Sequence, residues 1–271
     1  MFSHILIAHD LSLESDIALQ RAAQLANQHH ARLTLLHVVE GHPDAKALAE
    51  LQAAAEKVLG ERLATYSHCR ADVVLRSGQA AQATLEVASD IGADLLVVGG
   101  HHKGRPELFS GTNLERLARH CGMPLLLARC EQIAPYQRAI VALDQSLCGC
   151  QALRSAACLI PAEAELLGIN IFDASGRRDA RQAGEQLEIQ QGLLQHMVED
   201  ECEQLPARQK PVRVEVIPGT LAGSLDERIR EEQPQLLALG QHSRSRLSEA
   251  LLGSLPIHYL RQPPCDVLLV K

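Results

Sequence analysis

Short, continuously apolar runs alternate along this chain with longer stretches in which apolar residues return every three or four positions. The first pattern predicts buried strands and the second predicts helices packed on one face. In the amino-terminal half the runs Ile5 to Ala8, Arg32 to Val39, Ala71 to Leu75, Asp94 to Val98 and Pro124 to Ala128 are the strands. Helices are expected at Ser15 to Gln28, Pro43 to Tyr66, Ala80 to Ile91, where Gly92 gives the stop, and Asn113 to His120. The other half repeats the order, with strands Ala139 to Leu143, Glu165 to Phe172, Val212 to Ile217, Gln235 to Leu239 and Asp266 to Val270. Its helices fall at Cys150 to Leu159, Arg181 to Glu203, Leu221 to Glu232 and Ser254 to Arg261. Pro256 fits there only within the first turn, where its missing N–H costs nothing.

The two halves are copies. HILIAHD (4 to 10) returns as RAIVALD (138 to 144), and the buried run LLVVG returns as LLALG. Gly111-Thr112 returns as Gly253-Ser254. Asp10 and Asp144 lie 134 positions apart, Gly99 and Gly240 lie 141 apart, and Gly111 and Gly253 lie 142 apart. A period that long is a whole domain. We expect domains at 1–133 and 134–271, joined by a short linker from Glu131 to Gln137. Strand–helix alternation predicts an α/β fold, two tandem open, mostly parallel five-stranded sheets with helices on both faces. In such sheets ligands sit beyond the carboxyl ends of the strands, where the strand order reverses.

Composition narrows the function classes. The net charge of −7 and the absence of a Lys/Arg stripe exclude the usual footprint of nucleic-acid binding. No apolar stretch approaches the length of a membrane span, and the amino terminus has no signal-peptide character, so a cytoplasmic protein is expected. Aromatic residues make up 2% and Trp is absent, so the cores must be aliphatic. The eight cysteines show no framework spacing and read as reduced thiols. Cys148 and Cys150, at a helix start, could be acidified there, but packing is the favoured reading. His101 and His102 lack a third partner at ligand spacing, so no metal site is expected.

The candidate chemistry lies after strand 4 of each half. In the second half Gly240-Gln241-His242-Ser243 leads to Gly253-Ser254 at a helix start. A glycine there would let a ligand approach the backbone, and first-turn N–H groups favour an anion. His242, Arg244 and Arg246 add donors nearby.

At these residues the chain resembles the universal stress protein family, over nearly its whole length and as two tandem copies. Nucleotide-binding members carry Gly-x2-Gly-x9-Gly-Ser/Thr after strand 4. Here the second copy reads Gly240-x2-Ser243-x9-Gly253-Ser254, with unchanged spacing and one substitution. The resemblance implies that Asp144 faces the ribose or base and that Ile171 offers its backbone to adenine. Gly240, Gly253, Ser254 and Leu255 would line ribose and phosphates. The first copy departs further, since His102 replaces the second glycine and the loop from Gly99 to Gly111 is one residue short. Asp10, Val38, Gly99, Gly111, Thr112 and Asn113 remain in register with the same positions.

The resemblance therefore implies a Rossmann-like fold and a cytoplasmic, non-catalytic stress-response protein. ATP, with or without Mg2+, is the expected ligand, held in the second domain. It also implies an intramolecular pseudo-dimer of the two domains and leaves a homodimer of chains open. Two alternatives stand beside it: a nucleotide-free tandem scaffold acting through protein contacts, and a very weak ATPase.

Overall fold

The structure, a computed structural model, describes residues 1–41, 44–66, 71–100, 113–172, 180–205, 207–241 and 252–271. It divides into two compact units, Met1–Pro135 and Tyr136–Lys271. The first runs β1 (His4–Ala8), α1 (Glu14–His29), β2 (Arg32–Val39), α2 (Ala45–Tyr66), β3 (Ala71–Ser77), α3 (Ala80–Asp90), β4 (Leu95–Gly99), α4 (Asn113–His120) and β5 (Leu125–Ala128). The second runs β6 (Arg138–Ala142), α5 (Leu147–Leu159), β7 (Glu165–Phe172), α6 (Ala180–Cys202), β8 (Arg213–Pro218), α7 (Leu221–Glu232), β9 (Leu236–Gly240), α8 (Ser254–Arg261) and β10 (Asp266–Val270).

Within the first unit the strands lie in the order β3-β2-β1-β4-β5, all neighbours parallel. Within the second the order is β8-β7-β6-β9-β10, again parallel throughout. The chain builds outward from β1 to β3, then returns to the other side of β1 for β4. That reversal opens a crevice above the carboxyl ends of β1 and β4, and the second unit does the same above β6 and β9. Helices on both faces explain the apolar runs: Ile5, Leu6, Ile7, Leu95, Leu96 and Val97 are fully buried, so neither face of these strands meets water.

The repeat extends to individual hydrogen bonds. Asp94 accepts the backbone N–H groups of Ser3 at 2.7 Å and His4 at 3.0 Å, fixing the start of β1 against β4. Gln235 does the same for Gln137 at 3.0 Å and Arg138 at 2.8 Å in the other unit. Gly78 donates to the Val39 carbonyl, and Gly219 donates to that of Phe172. Both glycines have positive φ, 135° and 152°, and a Cβ on Gly219 would lie 2.0 Å from Ser224 Oγ. These turns therefore need glycine.

Some boundaries differ from expectation for local reasons. Helix α5 starts at Leu147 rather than Cys150, because Ser146 is its N-cap and its Oγ accepts the Gly149 N–H at 3.1 Å. Strand β4 starts one residue late because Asp94 spends its side chain on β1. Arg21, 1% exposed, donates to the Ala134 carbonyl at 2.7 Å and so ties α1 to the chain leaving the first unit.

In the second unit Tyr136 and Asp266 are both buried, and the tyrosine hydroxyl donates to Asp266 Oδ2 at 2.7 Å. Removing a donor from a buried carboxylate costs its desolvation, so Tyr136→Phe should lower stability by about 1–3 kcal/mol. Denaturant unfolding of the variant against the parent measures that loss, and an unchanged midpoint would show that the pair contributes nothing.

Candidate functional site

The crevice of each unit holds a cleft, and each is built around a turn after the central strand. In the first unit Asp10 Oδ1 accepts the Ser12 N–H at 3.0 Å and the hydroxyls of Ser12 and Ser15. In the second, Asp144 Oδ1 accepts the Ser146 N–H at 3.1 Å and the Ser146 hydroxyl. The residue between takes a left-handed conformation in both, Leu11 at φ 66° and Gln145 at φ 58°. Such non-glycine conformations cost roughly 1–3 kcal/mol and persist where surrounding bonds hold them.

A second bond anchors the same turn from the neighbouring strand. His37, on β2, contacts the His9 carbonyl through Nδ1 at 2.8 Å, and Asn170, on β7, donates to the Leu143 carbonyl at 2.6 Å. A ring nitrogen facing a carbonyl must carry the proton, so His37 is the Nδ1–H tautomer when neutral, and Nε2 is its acceptor.

The first cleft has a volume of about 330 Å³. Its apolar lining includes Ala8, Leu36, Val38, Ala81, Val98 and Leu117, and its polar lining includes His9, Asp10, Ser15, His37, Glu40, Thr84 and Asn113. It thus brings together Asp10, Val38, Gly99 and Asn113. Gly111, Thr112 and the histidines at 101 and 102 lie outside the described residues.

The second cleft is smaller, about 110 Å³, and brings together Asp144, Ile171, Gly240, Gly253, Ser254 and Leu255. His242, Ser243, Arg244 and Arg246 lie outside the described residues. Gly253 is the N-cap of α8 and donates to the Gln241 carbonyl at 3.2 Å. The next two N–H groups, of Ser254 and Leu255, have no acceptor within the helix, and Pro256 follows without a donor. Asp144 is the one ionisable side chain among the described residues lining this cleft.

Gly240 lines the second cleft and is also required by packing. A Cβ there would lie 2.9 Å from Cys148 Cβ and 3.1 Å from the Cys148 carbonyl carbon. The missing side chain makes room for the start of α5 against β9, not only for a ligand.

Several residues of these sites escaped sequence reasoning. His9 is 2% exposed; its Nδ1 accepts the Leu11 N–H at 3.0 Å and its Nε2 meets Asp16 Oδ1 at 3.1 Å. Arg62 from α2 reaches Asp16 Oδ1 at 2.8 Å and the Ser12 carbonyl at 3.1 Å. Burial lowers the His9 pKa from its usual value, Arg62 adds to that, and the Asp16 carboxylate opposes it. His29, packed edge-on to Phe2, is likewise lowered, first by burial and then by the amino terminus. A sequence signal existed for His37 and Asn170: each directly precedes a residue, Val38 or Ile171, already assigned to a cleft.

Cys150 is not acidified. Burial, then the charge and hydrogen bond of Glu201, push its thiol up to about 11. None of the described cysteines forms a disulfide. Among the described residues no cluster of His, Cys, Asp or Glu could hold a metal, and no helix is long and apolar enough to cross a membrane.

Comparison with known proteins agrees with this anatomy. The model of the universal stress protein family matches residues 1–129 and again 135–271. A universal stress protein of Thermus aquaticus, described from the 3′ region of a QAH/OAS sulfhydrylase, is 34% identical over 137 residues, 48% of this chain and 100% of that protein. A universal stress protein A homolog of Haemophilus influenzae is 28% identical over 122 residues, 41% of this chain and 86% of that protein. Among solved structures, a universal stress protein of Archaeoglobus fulgidus superposes with a TM-score of 0.72 at 18% identity, covering 99% of this chain and 98% of that one.

Two measurements test the site's framework. Gly240→Ala should destabilise the second unit by about 1–3 kcal/mol through overpacking against α5, with or without any ligand; an unchanged unfolding midpoint would return Gly240 to a ligand role alone. His9 and His29 have folded pKa values below the unfolded one, so the unfolded chain binds more protons as pH falls. Stability of the first unit should then be full above about pH 6.5 and decline below it. Amide exchange at Ile5–Ile7 between pH 7.5 and 5 should show that decline, with a shallower slope in His9→Gln. A flat profile would contradict it.

Proposed function

The chain belongs to the universal stress protein family, as two tandem copies, and from that premise we propose that it is a regulatory, non-catalytic stress-response protein whose second domain binds ATP. The observation that carries this reading is one cleft at the strand-order reversal of the second unit. It gathers Asp144, Ile171, Gly240, Gly253, Ser254 and Leu255 around the start of α8. The helix dipole and the N–H groups of Ser254 and Leu255 favour a phosphate, and Asp144 stands on the side suited to ribose hydroxyls. Among the described residues Asp144 Oδ1 accepts from Ser146 alone, so the other oxygen remains for a ligand. A base would rest on the apolar wall of Leu143, Ile169 and Ile171.

The non-catalytic assignment rests on the same lining. Asp144 is held by Ser146 as a turn-forming carboxylate, and no second described ionisable group stands beside it to share acid–base work. Mg2+, if carried in with ATP, would come with its own water and phosphate ligands.

One observation favours the scaffold reading instead. About 110 Å³ is small beside the 300–1,000 Å³ usual for ligand pockets, so binding requires the cleft to widen or the ligand to lie partly outside.

Gly253→Asp separates the readings. At φ −62° and ψ 157° the position accepts any residue, and a Cβ would make ordinary contacts at 3.4 Å, so the variant should fold. Its carboxylate would cap α8 and repel phosphate. Mg-ATP at a hundred times its dissociation constant should stabilise the parent by about 2.7 kcal/mol and leave Gly253→Asp unmoved. Equal stabilisation of both proteins would place ATP elsewhere, and none in either would favour the scaffold.

A further inference from the structure

Helix α6 has one face turned to the core of the second unit and one face uncovered. Leu194 and Val198 mark the inner face and are buried. Gln191, beside them, donates to the Val214 carbonyl at 3.0 Å and accepts the Val216 N–H at 2.9 Å, which ties the helix to β8. The helical period puts Glu185, Ile189, Gly192, Leu193, His196 and Asp200 on the opposite face. All are exposed, with 60% of Ile189 and 52% of Leu193 open to water. Single exposed aliphatic residues are ordinary, but these two stand one turn apart on the same stripe.

The first copy shows what this face requires for folding alone. On α2, Gln52 donates to the Val73 carbonyl at 3.2 Å, as Gln191 does to that of Val214. That bond sets the two helices in register. Ala55 and Leu59 are buried where Leu194 and Val198 are, and Glu50 and Ala54 stand where Ile189 and Leu193 do. The charges differ as well. From Gly184 to Cys202 the chain has Glu185, Glu188, Glu199, Asp200 and Glu201 and no Lys or Arg, while α2 sets Lys46, Lys57 and Arg62 beside Glu50, Glu56 and Glu61. Glu201 is engaged by Arg154 of α5, and the other carboxylates flank the apolar stripe. At Gly192 a Cβ would meet nothing within 4 Å, so packing within the chain does not call for a glycine there. A glycine inside a helix costs about 1 kcal/mol against alanine, and this one leaves a notch beside Leu193.

We propose that the outer face of α6 is a docking surface for a basic amphipathic helix of a partner protein. Ile189 and Leu193 take its apolar ridge, and Gly192 admits a side chain of that ridge, as ridges enter grooves wherever two helices pack. Lys and Arg residues beside the ridge meet Glu185, Glu188, Glu199 and Asp200. The same charges disfavour two other occupants. A second copy of this chain, related by a two-fold axis, would set these carboxylates against one another. An anionic lipid surface would repel them. No described residue of α6 lines either cleft, so the proposal is independent of the ATP reading.

Fluorescence anisotropy of a labelled peptide with Leu and Lys at helical spacing, titrated with the intact chain, tests this. A peptide of the same composition in scrambled order, which forms no apolar face, is the control. The ordered peptide should bind, and more weakly as salt rises, because exposed charges are screened. The double variant Ile189→Glu/Leu193→Ala installs the side chains that α2 carries at these positions. It should keep the parent's unfolding midpoint and bind the peptide about tenfold more weakly. Gly192→Gln fills the notch while favouring the helix, so it should raise stability and still weaken the peptide several-fold. Sedimentation of the parent and the double variant should agree. No binding of the ordered peptide, equal binding of the scrambled one, or equal binding by the double variant would each overturn the proposal. So would a self-association of the parent that the double variant loses, which would make the occupant a second copy.

Discussion

One oxygen of one aspartate organises each crevice. Asp10 Oδ1 and Asp144 Oδ1 each take the backbone N–H and hydroxyl of the serine two residues on, and that ring of bonds turns the chain from the central strand into its helix. The turn puts Leu11 and Gln145 in the left-handed region, a strain that only a closed set of hydrogen bonds sustains. Where the first helix starts, how the carboxylate faces the cleft and where its second oxygen points all follow from it. In both units the aspartate is thus first a structural group, the acceptor around which the turn closes.

The copies preserve backbone bonds more faithfully than side chains. The bonds of His9 N–H to Leu36 and of Leu143 N–H to Ile169 are matched, and the strand-start clamps of Asp94 and Gln235 are matched with different chemistry. Beneath the turn the two units diverge. The first supports it with His9, Asp16 and Arg62, while the same positions in the second hold Leu143 and Cys150. A buried polar network must be fully satisfied to be tolerated, and here His9 uses both ring nitrogens. Leu143 carries no such requirement, and the Cys150 thiol, pushed up to about 11, stays protonated near neutral pH. The buried imidazole of His9 makes the turn of the first unit sensitive to protonation as the pH falls.

The architecture was legible because its signals are periodic: buried runs of four or five aliphatic residues, helices with a three-to-four repeat, and a strand-end aspartate recurring after 134 positions. The gathering of Asp144, Ile171 and Gly253 was legible because topology alone sends those loops to one edge. What stayed hidden has no periodic signature. Asp16 and Arg62 are 46 positions apart on different helices, and nothing in either helix's pattern names the other as partner. Gly240 illustrates the opposite difficulty. A glycine at a strand end is required equally by a ligand approaching from the crevice and by a helix approaching from the face, and sequence cannot separate the two. The geometry shows that the helix is one reason, since the space a Cβ would occupy is filled by Cys148 and Gly149.

That same approach helps explain why the two clefts differ in size. Gly149, the counterpart of Ser15, leaves Asp144 without the second hydroxyl that Asp10 receives, and a Cβ there would come within 2.9 Å of the Asp144 carboxylate. With α5 close against β9 and with Leu221, Leu225, Leu255 and Pro256 on its lining, the second cleft is the narrower one. The second cleft keeps the start of α8, where the N–H groups of Ser254 and Leu255 have no acceptor within the helix. In the first, small residues on α3, Ala80, Ala81 and Thr84, leave the space open, while His37 and Asp10 set its polarity. The two copies thus share one turn and one strand order, and the helices packed beside each crevice set the size of its cleft.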